Sequence, residues 1–289
     1  MKAELILDAK AILAEGPVWD AQERKLWWVD IPGRVLHQFD PDVGSDQSVA
    51  SGLEIGCISP RTSGGLILGL PDGFATFSPE SEQLEELAPV EADDPTTRMN
   101  DGKCDERGRF WAGTMAYDAR PEAGSLYRLT PDGRVRKMLS GVTISNGLDW
   151  SPDGGTLYYI DSLAGGVDAF DFDADAGEID GRRRVVEIPN EDGIPDGMTV
   201  DVDGNLWVAL YGGAAVRCYR PDGTLEGLIP LPVTQVTSCA FAGDDLGDLY
   251  ITTASQELTE ADRREQPSAG GIFRCRPGVI GSLPFPFSG

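Results

Sequence analysis

Polar residues recur beside glycines at one phase of this 289-residue chain. They are Glu15 in AEGPVW, Glu54 in EIGCIS, Asn100 and Asp101 in RMNDGKCD, Asn146 in ISNGLDW, Asp196 in PDGMTV, and Thr237 with Ser238 in VTSCAF. Glu15, Asn100, Asn146 and Asp196 are hard oxygen donors. Two carboxylates held a few ångströms apart repel one another unless a proton or a cation lies between them. One divalent cation resolves that repulsion, and oxygen ligands favour Ca²⁺, Mg²⁺ or Mn²⁺, with Zn or Fe as less favoured alternatives. The bland alternative is a set of side chains that merely hydrate a channel.

Other catalytic chemistries have few residues to use. The single histidine, His37 in RVLHQFDPD, reads as an exposed strand position, so a Ser-His-Asp triad or a multi-histidine metal site is disfavoured. Five scattered cysteines form no C-x-x-C pair and fit neither a zinc knot nor a disulfide framework. They read as reduced thiols, with Cys57, Cys104 and Cys239 buried. Chemistry here must run on carboxylates, oxygen ligands and arginine.

What could bring the polar residues together is a repeat. Nine to twelve residues after each comes an apolar-aromatic run: Leu26-Trp27-Trp28-Val29, Leu66-Ile67-Leu68, Phe110-Trp111-Ala112, Leu157-Tyr158-Tyr159-Ile160, Leu206-Trp207-Val208 and Leu249-Tyr250-Ile251. These runs start 40 to 49 residues apart, with further short strands and Gly-rich turns between them. A period in the forties with about four strands per copy predicts a β-propeller. Six copies fill residues 1–289, so the expectation is an all-β, six-bladed β-propeller in one domain. Its polar residues would then line one end of the axis, where glycines permit close backbone approach. Ring closure predicts that AELILDA adds a strand beside GGIFRCRPG in the last blade. Only SQELTEADRREQ reads as helical.

Composition limits the partners. The net charge is −24, with five lysines against nineteen arginines, a field that repels nucleic acid and anionic membranes. Adaptation to a saline cytoplasm is one reading of that surface. No membrane-length apolar run is present, and the N-terminus does not resemble a signal peptide. The sequence therefore reads as a soluble cytoplasmic protein, a monomer or small homo-oligomer.

The segments AEGPVW, RMNDGKCDERGRFWAGTM, ISNGLDWSPDGGTLYYIDS, IPDGMTVDVDGNLWVA and QPSAGGIFR resemble, in order, the regucalcin, gluconolactonase and luciferin-regenerating-enzyme family. That resemblance spans nearly the whole chain. It implies a six-bladed propeller with one catalytic divalent cation at its axis and hydrolysis of a sugar lactone to the aldonic acid. By motif, it assigns the cation to Glu15, Asn146 and Asp196, and substrate contacts to Arg98 and Asn100, with Asp101 beside them. Asp196 is the candidate general base. Regucalcin-like members carry two glutamates after GTMA; here the pair is Tyr117 and Asp118. Asp118 is expected to contact substrate with a shorter reach, and Tyr117 to shape the pocket. The alternatives are a non-catalytic calcium-binding regulator and a metal-dependent esterase or organophosphate hydrolase.

Overall fold

The computed structural model describes all 289 residues. Strand β1 (Glu4–Leu7) stands apart in sequence from the blade it joins. Blade one is β2 (Ala14–Asp20), β3 (Lys25–Asp30), β4 (Val35–Asp40) and β5 (Ser45–Ala50). Blade two is β6 (Cys57–Pro60), β7 (Leu66–Leu70), β8 (Gly73–Ser78) and β9 (Gln83–Pro89). Blade three is β10 (Thr97–Cys104), β11 (Phe110–Ala116), β12 (Gly124–Leu129) and β13 (Val135–Val142). Blade four is β14 (Ser145–Trp150), β15 (Thr156–Asp161), β16 (Gly166–Asp173) and β17 (Glu178–Glu187). Blade five is β18 (Ile194–Val200), β19 (Leu206–Tyr211), β20 (Ala215–Tyr219) and β21 (Leu225–Pro230). Blade six is β22 (Val236–Ala242), β23 (Asp248–Thr253) and β24 (Ile272–Cys275), completed by β1.

The six-bladed propeller follows from burial. Second strands such as β3, β7 and β19 pack between neighbouring blades, and both faces of each are buried, so they read as unbroken apolar runs. Outermost strands such as β5 and β9 are mostly exposed and polar. The interior is six clusters, each shared by two adjacent blades. Trp27 and Val29 of blade one meet Ile58 and Leu68 of blade two, and Trp19 and Trp28 meet Tyr250 and Ile272 across the closure. No blade can bury its own apolar faces, so the ring must close. Closure uses β1, antiparallel to β24 with Glu4 opposite Arg274 and Leu5 opposite Phe273, as the N-terminal strand predicts.

Buried aspartates pin the turn into the second strand in blades three and five. Asp105 accepts from the Arg107 and Arg109 backbone N–H groups, Arg109 Nε and Trp111 Nε1. Asp201 does the same for the backbone of Asp203 and Asn205, the Asn205 amide and Trp207 Nε1. This D-x-x-G-x-x-W pattern accounts for the glycine turn that precedes the aromatic run in these two blades.

Three expectations meet their outcome here. All five cysteines are free and buried. The helical segment is α1 (Glu260–Glu265), capped by Thr259. His37, however, is not exposed: its side chain is 15% accessible, stacks on Trp28 at 3.6 Å and pairs with Asp46 at 2.6 Å. The alternating pattern hid an aromatic neighbour on the adjacent strand. No helix is long and apolar enough to cross a membrane.

Candidate functional site

The innermost strands β2, β6, β10, β14, β18 and β22 touch one another in sequence around the axis. Five of them carry the same irregularity, one of these being β22, between Val236 and Ser238. Pairing slips between Glu15 and Val18, Met99 and Gly102, Ser145 and Leu148, and Pro195 and Met198. A bulge re-aims the side chains it contains. Asn100, Asp101, Asn146 and Asp196 fall within these bulges, and Glu15 at the edge of one. The adjacent glycines allow the strands to crowd: a Cβ on Gly147 would lie 2.7 Å from the Asp196 carbonyl oxygen, and one on Gly197 2.1 Å from Ser238 Oγ.

The result is a buried, underpaired acidic cluster. Glu15, Asn146 and Asp196 are each no more than 6% exposed. Asn146 Nδ2 donates to Ser162 Oγ at 3.1 Å, but Asn146 Oδ1 and Asp196 Oδ1 are buried without any protein partner. Burial raises the Asp196 carboxyl well above the usual range, and the charge of Asp101 raises it further. Glu15 is raised likewise, by burial first and then by Asp196 and Asp101. Burial also pushes Asp101 up to about 6, against the relieving charge of Lys103. Unpartnered buried oxygens beside repelling carboxylates are costly. An all-oxygen set of this kind fits a hard divalent cation.

Arg98 borders the cluster. Its Nη1 donates to the Met99 carbonyl at 2.9 Å and to Asn100 Oδ1 at 2.8 Å, while Asn100 Nδ2 reaches the Ser145 carbonyl in blade four at 2.8 Å. Burial lowers the Arg98 pKa, and the charges of Glu54, Tyr117, Glu15 and Asp196 support its cationic form. Asp118 is not part of this group. It is 66% exposed and binds the Arg120 side chain at 3.2 Å. Tyr117 faces the site instead, with the Arg98 guanidinium 6.0 Å from its ring centre and its hydroxyl donating to Glu54 at 2.7 Å. Thr237 is absorbed by blade closure, bonding the Ala14 carbonyl and Thr252.

Two features escaped the sequence. Tyr211 lies close enough for Asp196 and Glu15 to act on its hydroxyl, which burial and Glu257 raise most. Next to the acidic cluster lies a cavity of about 130 Å³, lined in part by Asp101, by residues 282–285 and by Lys103 and Asp149, which pair at 2.8 Å. The one hint was a lysine in DGKCD, in a chain with five.

Residues 13–255 match the SMP-30/Gluconolactonase/LRE-like region. The chain belongs to this family. Regucalcin of Xenopus laevis is 40% identical over 100% of this chain and 99% of its own length. The structure of regucalcin from Agrobacterium tumefaciens, described as a calcium-binding protein, superposes with a TM-score of 0.95 at 27% identity, covering 99% of this chain and 98% of that one. That of a gluconolactonase from Xanthomonas campestris has a TM-score of 0.77 at 25% identity, over 94% of this chain and 88% of that one. The family places this chain among lactonase relatives.

Proposed function

We propose that the protein is a cytoplasmic, divalent-cation-dependent sugar lactonase that opens an aldonolactone to its aldonic acid. The observation that carries this reading is the pair of partnerless buried oxygens, Asn146 Oδ1 and Asp196 Oδ1, beside Glu15 in a gluconolactonase-family propeller. Glu15, Asn146 and Asp196 would hold the cation, which when bound supplies Lewis-acid polarisation of the lactone carbonyl.

The chain's own groups do the rest. Asp196 accepts a proton as the water oxygen bonds to the carbonyl carbon. The ring C–O bond then breaks and the proton passes to the departing ring oxygen, leaving a hydroxy acid. Arg98 donates toward the developing oxyanion through the N–H groups not engaged by Met99 and Asn100. Asn100, fixed between Arg98 and Ser145, orients the lactone. Asp101 adds negative charge beside Glu15 and Asp196, which strengthens the field a cation would meet.

The test is Asp196→Ala in a protein shown to be folded by circular dichroism. Loss of lactone turnover to the spontaneous rate supports the assignment; retained turnover removes it. Calcium binding without turnover is the second reading, favoured by the description of the Agrobacterium relative.

A further inference from the structure

Beside the acidic cluster, blades two and three meet in a contact that the proposed chemistry does not use. Glu54 precedes β6 and is half-buried. Its Oε2 accepts the Tyr117 hydroxyl at 2.7 Å, while its Oε1 takes no hydrogen bond from the protein. Tyr117 is 49% exposed, so its ring forms an open wall rather than a core contact. Arg98 links this wall to the cluster: Glu54 is the strongest charge acting on it, and Glu15 and Asp196 act on it as well. The Glu54 carboxylate, bonded to the Tyr117 hydroxyl at 2.7 Å, and the Arg98 guanidinium, 6.0 Å from the Tyr117 ring centre, thus present an acceptor and a donor at the same ring.

We propose that Glu54 and Tyr117 form a hydroxyl-reading wall that selects neutral, polyhydroxylated lactones over phosphorylated ones. This rests on the lactonase reading above. Adjacent acceptor and donor groups match two neighbouring hydroxyls of a sugar, one donating to Glu54 Oε1 and the next accepting from Arg98. The Tyr117 hydroxyl holds the carboxylate in that orientation, and its ring covers one side of the substrate. A phosphate in the same place would meet the Glu54 carboxylate in a molecule of net charge −24. Arg98, the cation at this ring, is already balanced by Glu54, and Arg34, which also acts on Tyr117, is exposed and therefore screened.

The experiment uses the cation-loaded protein and measures kcat and KM for glucono-1,5-lactone and its 6-phosphate. The wild type is expected to prefer the neutral lactone. Glu54→Gln, nearly isosteric, should raise KM for the neutral lactone roughly tenfold, with the loss on KM rather than kcat, and should narrow the preference over the phosphate. Tyr117→Phe keeps the wall but frees Glu54, and should raise KM by about threefold. A wild type that prefers the phosphorylated lactone, or a Glu54→Gln protein with unchanged KM, overturns the inference while leaving the lactonase reading intact. A wild type inactive on these two and on every other neutral sugar lactone removes both.

Discussion

Asp196 and Asp201 lie five residues apart in blade five, and both are buried. Their surroundings are opposite. Asp201 is met by two backbone N–H groups, the Asn205 amide and the Trp207 indole. Asp196 keeps one oxygen without a partner and faces the charge of Asp101. Folding alone explains Asp201, because a satisfied buried carboxylate holds a turn. It does not explain Asp196, because an unsatisfied one beside like charge destabilises the chain that carries it. Buried charge thus separates into structural and functional kinds by whether its hydrogen bonds are complete.

Substitutions can break or sharpen that contrast. The largest effect belongs to Asp196→Ala, which should reduce lactone turnover on the order of 10⁴-fold without lowering stability in denaturant. Next comes Asp105→Ala, the blade-three counterpart of Asp201. It leaves the Arg109 side chain, 7% accessible, without its ion-pair partner, and should cost about 3–5 kcal/mol in urea unfolding. Equal effects of the two substitutions on stability would erase the distinction.

A smaller effect concerns pH. Glu15 and Asp196 have raised pKa values in the folded chain. Without a cation, their contribution is fully present below the ordinary carboxylate range and is lost as pH rises through the raised values. Asp101 loses its share between 3.8 and about 6. Chelated Asp196→Asn protein should therefore melt above chelated wild type at pH 8, with the gap closing toward pH 4. Added cation should reverse the order at pH 8, since binding stabilises only the wild-type site. The smallest effect is expected at the Lys103–Asp149 pair. Lys103→Met should cost about 1 kcal/mol of stability, because Lys103 and Asp149 keep partial solvent contact.

The fold was legible because one blade interface repeats six times and imprints its apolar run at a regular period. The acidic cluster was legible by the same logic, since equal phase in the repeat means equal place around the axis. Phase could not say which members the structure would absorb. Thr237 went to the closure because its hydroxyl found Ala14 and Thr252. Asp118 turned to Arg120, beside Ala119 at a φ of 51°, a local chain path that no spacing encodes. The Tyr117–Glu54 and Lys103–Asp149 contacts join residues 63 and 46 positions apart on different blades. They depend on side-chain reach across the interface rather than on periodicity.

The most direct test of the central claim strips the protein with chelator and follows acid release from a panel of neutral sugar lactones, with spontaneous opening subtracted, as divalent cation is titrated back. The account predicts no turnover without cation and a rise that saturates near one cation per chain. Turnover indifferent to chelation, or none on any lactone with cation bound, would contradict it.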